Sequence, residues 1–152
     1  MKRMLVVGYG NPYRADDGAG YWAAVEYQSH SQDSDVQVIA VETLTPAIVE
    51  QMADAECVVF LEGSGNGRPG SIVQQGVFPD ETVAGVYASN CLTPAVAVQA
   101  CKLIYQRSPK VVLFSVKGAN LGFGYGVSPV VKATFLELMQ RLDAILIPAR
   151  AA

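Results

Sequence analysis

The stretch from Leu5 to Gly20, LVVGYGNPYRADDGAG, constrains the fold more than any other part of the chain. It begins as a run that is apolar on every residue, from Met4 to Gly8. Such a run fits a strand covered on both faces, as in a parallel sheet. It ends in a glycine turn that delivers two carboxylates, Asp16 and Asp17, to the start of a helix. In open α/β sheets ligands bind beyond the carboxyl ends of the strands, so an acid pair there is either a helix cap or a functional site.

The rest of the chain repeats this alternation. A helix is expected from Gly18 to about Ser29, with Tyr21, Trp22 and Val25 as its apolar face, followed by a polar loop from Ser29 to Asp35. Val36–Glu42 reads as the second strand and Cys57–Glu62 as the third, both ending at an acid. Thr45-Pro46 and Thr93-Pro94 each pair an N-cap residue with a proline at the first helical position, predicting helices to about Ala53 and Gln106. Ser71–Val77 is expected as a short edge strand, Phe78–Ala88 as a loop, and Val111–Val116 as another buried strand. Lys117–Val127, with four glycines, is expected to be a lid-like loop. The last helix opens at Ser128-Pro129. Its core face is Val131, Phe135, Leu138, Leu142 and Ile145, and Pro148 is placed beyond its end. Together these elements predict one α/β domain over residues 1–152: three α/β/α layers around a mostly parallel twisted sheet of about five strands. Right-handed crossovers then bring Asp16, Asp17 and Glu62 to one rim.

Several functions are excluded by composition and pattern. The net charge is −3, with no basic stripe, which argues against nucleic acid. The apolar runs are too short to span a membrane, and the N-terminus does not look like a signal peptide, so a cytoplasmic location is expected. The three cysteines, Cys57, Cys91 and Cys101, form no CxxC pair and read as reduced thiols. Cys91, just before a helix, is open to a lowered pKa but more simply read as a small reduced thiol. Gly8-Tyr9-Gly10 begins a dinucleotide fingerprint, but its third glycine position holds Tyr13, and two carboxylates would repel a pyrophosphate. The single histidine, His30, falls in the polar loop after the first helix, so a serine or cysteine nucleophile lacks its usual base. Carboxylates from separate strand ends can instead converge on a divalent ion, with Asp17 and Glu62 as candidates.

Gly8–Gly20 (GYGNPYRADDGAG) resembles the N-terminal signature of the [NiFe]-hydrogenase maturation endopeptidases. Leu44-Thr45-Pro46, the strand ending at Glu62, the NCLTP segment from Asn90 to Pro94 and the FGYGVSP segment from Phe123 to Pro129 follow in the family's order. The resemblance implies an enzyme that trims the C-terminal extension from a hydrogenase large-subunit precursor, its partner. It implies nickel, supplied by that precursor, recognised through Asp17, Glu62 and Asn90, with Asp17 and Glu62 as the catalytic pair. Asp16 is assigned to capping or to orienting Asp17. Two positions depart from the pattern: Glu62 stands where the family has Asp, and Asn90 where it has His. An amide oxygen is a harder and weaker ligand than imidazole, so a second expectation is a catalytically weak relative that only binds a partner or metal. The oligomeric state is left open.

Overall fold

The structure, a computed structural model, describes residues 2–81 and 92–151. Five strands form one sheet: β1 (Lys2–Tyr9), β2 (Val36–Val41), β3 (Ala55–Ser64), β4 (Ile72–Gly76) and β5 (Lys110–Lys117). Their order is β2-β1-β3-β5-β4. The first four in that order are mutually parallel, and β4 runs antiparallel to β5 at the edge. Helices α1 (Ala19–His30), α2 (Pro46–Met52), α3 (Pro94–Tyr105), α4 (Pro129–Lys132) and α5 (Phe135–Ala151) supply the outer layers. The sequence-based α/β expectation and the five-stranded, mostly parallel sheet hold.

Strand alternation divides the core in two. Met4, Val6, Val59, Leu61, Phe114 and Val116 face one layer with Ala23, Ala24, Phe135 and Leu138. Leu5, Val7, Val58, Phe60 and Leu113 face the other, with Ile48, Val49, Met52, Ala97 and Cys101. Near-continuous apolar strands are what a sheet covered on both faces requires.

Four features differ from expectation. The buried face of α1 is Ala19, Gly20, Ala23, Ala24 and Tyr27, while Val25 points outward. Small residues win because α1 lies almost on the sheet: a Cβ on Gly8 would sit 2.1 Å from the Gly20 carbonyl oxygen, and one on Gly20 would sit 2.0 Å from that of Leu61. β3 does not stop at Glu62. It runs two residues further, because β5 continues to pair with it through Ser64 and Lys117. The last helix breaks after Lys132, where the Thr134 hydroxyl (2.7 Å) and amide (2.9 Å) both donate to the Val131 carbonyl and tighten the chain. Pro148 lies inside α5 rather than beyond it. The carbonyl that a proline leaves unbonded is the one four residues earlier, at Ala144, which is exposed and can be served by water. Residues 82–88 of the expected Phe78–Ala88 loop lie outside the described residues. No helix among the described residues is long and apolar enough to cross a membrane.

Candidate functional site

In chain order the first three strands lie 2-1-3 across the sheet, so the winding reverses between β1 and β3. The crevice beyond the carboxyl ends at such a reversal is where open α/β sheets bind ligands. Tyr9 ends β1 there, Glu62 lies near the end of β3, and the Asp16-Asp17 turn packs above both.

The turn is built on glycine and asparagine. Gly10 has φ +143°, and a Cβ on it would lie 2.2 Å from the Asp17 carbonyl oxygen, so only glycine lets the chain fold back this tightly. Asn11 closes the next bend by accepting the Tyr13 amide at 2.9 Å. Ala15 takes a left-handed φ of +48°, held by its amide bond to the Gly124 carbonyl at 2.8 Å. Residues 15–18 then form a 3-10 turn before α1.

The two aspartates part company here. Neither caps α1: its N-cap is Gly18, with no side-chain cap bond. Asp16 is fully buried. Its carboxylate accepts the amides of Ala119 (2.8 Å), Asn120 (3.0 Å) and Ser128 (2.7 Å) and the Ser128 hydroxyl (2.7 Å). Burial alone would raise the pKa, but these bonds, from Ser128 first, hold it below the ordinary carboxylate value. Asp16 therefore does not orient Asp17. It anchors the glycine-rich segment 117–128 instead, and the Asn120 and Gly124 backbone bonds to residues 13–16 reinforce that anchor. The expected lid is pinned along its length. Ser128 precedes α4 as expected, but its hydroxyl serves Asp16 rather than the helix.

Asp17 is half-buried, and its Oδ2 accepts the Asn11 amide at 3.2 Å. Glu62 is half-buried too, and its Oε1 accepts the Tyr9 hydroxyl at 2.5 Å. Among the described residues each carboxylate keeps one oxygen without a protein donor. Tyr9 also packs edge-on against Phe60. Burial, then the bond to Glu62 and its charge, push the Tyr9 phenol far above its usual range, so it stays a donor. A second partner that orients a ligating carboxylate raises its effectiveness. Were Glu62 to ligate a divalent ion, as the sequence leads one to expect, Tyr9→Phe would weaken that binding by about tenfold without unfolding the protein, read by calorimetric titration with nickel beside a thermal melt. Unchanged affinity would separate Tyr9 from the site.

Asn90 and Cys91 lie outside the described residues, so the third expected donor is not placed. Among the described residues no three His, Cys, Asp or Glu side chains gather as a metal set. His30 ends α1, at the end of that helix away from the rim, with Nδ1 2.8 Å from the Glu26 carbonyl. Cys57 and Cys101 are buried free thiols, and burial raises both pKa values.

The sequence reading missed two features. One is the Tyr9–Glu62 bond, which depends on strand register. The other is an exposed aromatic cluster on the rim. Tyr13 and Tyr125 lie 5.4 Å apart, Trp22 and Tyr125 5.0 Å apart, and Arg14 sits 5.9 Å over the Phe123 ring. Phe123 is 92% exposed. The signal was present in GYGNPYRA and FGYG: aromatics between glycines, in loops, with no strand or helix period to bury them.

This architecture, with its switch-point rim, is the fold of the [NiFe]-hydrogenase maturation endopeptidases. The chain superimposes on HybD, the hydrogenase maturating endopeptidase of E. coli, with a TM-score of 0.76 at 22% identity, covering 97% of this chain and 93% of that one. HycI, a [NiFe] hydrogenase maturation protease of Thermococcus kodakarensis, gives 0.76 at 21%, covering 95% and 92%. A hydrogenase 2 maturation peptidase from a Thaumarchaeota archaeon gives 0.73 at 23%, covering 95% and 98%. No family model and no curated protein sequence matches the chain.

Proposed function

We propose that the chain is a cytoplasmic, metal-dependent endopeptidase that removes the C-terminal extension of a [NiFe]-hydrogenase large-subunit precursor. The observation that carries this reading is the pair of carboxylates, Asp17 and Glu62, presented at the β1/β3 switch point of a fold shared with named hydrogenase maturation endopeptidases. Nickel is here part of the substrate. A nickel already held by the precursor needs from this chain only ligands that complete its coordination, and two carboxylate oxygens without protein donors suit a divalent ion. A bound metal polarises a carbonyl and acidifies water. The chain's own residues do the rest. Asp17 and Glu62 hold the metal-bearing segment at the rim, and Tyr9 keeps Glu62 extended toward it. Asp16 keeps the 117–128 wall rigid. Tyr13, Arg14, Phe123 and Tyr125 offer the aromatic and arginine surface that protein partners favour, and we assign them to docking of the precursor.

The test is direct. Purified protein is mixed with nickel-loaded precursor, and the released tail is followed by mass spectrometry. Release of one C-terminal peptide is expected. Tight binding without cleavage would sink the peptidase reading and favour a binding factor, the outcome suggested by Asn90 standing where the family has His.

A further inference from the structure

Beside Glu62 lies a second polar group that no feature of the metal site uses. Period-two alternation puts Tyr9, Glu62, Ser64, Ser115 and Lys117 on the sheet face that carries Val7, Phe60 and Leu113. Register sets Ser115 next to Glu62 and Lys117 next to Ser64. The Lys117 ammonium donates to Ser64 Oγ at 3.3 Å and to Ser115 Oγ at 3.4 Å. Its stem is held from above by Gly67, where a Cβ would lie 3.0–3.3 Å from the stem carbons.

Among the described residues these groups have donors left over. An ammonium has three N–H groups, and two of them are used on hydroxyls. Ser64 Oγ already accepts from Lys117 and from the Asn66 amide at 3.2 Å, so its own O–H is free. Among the described residues Ser115 receives only the lysine. The ion pairs Lys132–Glu26 and Arg141–Glu137 do not involve Lys117. The stretch 82–91 contains no Asp or Glu to supply a counterion. A half-buried cation flanked by two hydroxyls, and bonded to no carboxylate among the described residues, is suited to receive an oxygen anion. Glu62, in the adjacent position, disfavours a doubly charged anion and leaves a carboxylate.

We propose that Lys117, Ser64 and Ser115 form a carboxylate-binding subsite, and that its ligand is the peptide chain end that cleavage creates. The subsite stands on its own geometry; its assignment to that chain end rests on the peptidase reading.

Full-length protein is titrated with N-acetyl-dialanine, which carries a free carboxylate, and with its carboxamide, while the Lys117 side-chain NMR signals are followed. A saturable shift with the carboxylate and none with the carboxamide is expected. Lys117→Met, which keeps the stem, should bind the carboxylate about tenfold more weakly. An unmoved Lys117 signal, or equal binding of the two probes, overturns the subsite. The wild-type titration decides this even if the variant fails to fold. A precursor carrying a tail lengthened by several residues tests the assignment. An unchanged KM is expected, since the new chain end is the same, whereas a raised KM would show that Lys117 reads the tail's own terminus. If wild-type protein cleaves no precursor, the peptidase reading falls while the titration still judges the subsite.

Discussion

Asp16→Ala is expected to destabilise the protein by about 3–5 kcal/mol. The carboxylate is fully buried and satisfies three backbone amides and one hydroxyl. The Ser128 hydroxyl can turn elsewhere, but the amides cannot, and each unsatisfied buried donor costs about 1–3 kcal/mol. In a domain of this size the melting temperature should fall by roughly 10 °C. Urea denaturation with an unchanged m-value measures the loss. The pH dependence has a definite sign. Folding lowers the Asp16 pKa from its model-compound value of 3.8, so the unfolded chain takes up the proton first. The stabilisation is present in full above that value and is lost as the pH falls through the lower folded pKa. The gap between wild type and Asp16→Ala should therefore narrow in acid. A gap of less than 1 kcal/mol at neutral pH would contradict the anchoring role.

Asp17→Ala and Glu62→Ala should do the reverse: leave stability nearly intact and remove the proposed metal recognition. Each side chain is half-buried and accepts one described hydrogen bond, so each substitution should cost about 1 kcal/mol. Nickel affinity should fall by about a hundredfold or more, since loss of a supporting partner alone costs ten- to a hundredfold. Tail release from nickel-loaded precursor should fall with it. Titration of wild type and both variants with nickel, and with cadmium as a second divalent probe, gives the comparison. Equal affinity in all three would remove the proposed site. The contrast with Asp16 matters, because two adjacent aspartates are assigned opposite duties: one holds structure, the other faces the ligand.

Much of this was legible in the chain. Apolar runs bounded by glycine and Thr-Pro starts mark strands and helices in sequences that must bury both sheet faces, and the strands fell near their expected positions. The Thr93 cap is present as the spacing implied, accepting the Val96 amide at 3.3 Å. What failed depended on partners distant in sequence. Trp22 packs against the core only in part and Val25 is exposed, because the closeness of α1 to the sheet favours the small residues Ala19, Gly20, Ala23 and Ala24 beside Tyr27. Asp16 and Asp17 are indistinguishable as letters, and the amides that separate them belong to residues 119, 120 and 128. Glu62 looked like a strand end because the pairing that extends β3 comes from Lys117.

The partners of Asp16 lie 103–112 residues further along the chain. A carboxylate cannot leave water until its donors arrive, and those donors follow β5. The first turn of the rim is therefore held by long-range contacts, the kind whose loop closure slows folding. A nascent chain that has made β1, α1 and β3 already carries Asp17 and Glu62 but has no wall beside them.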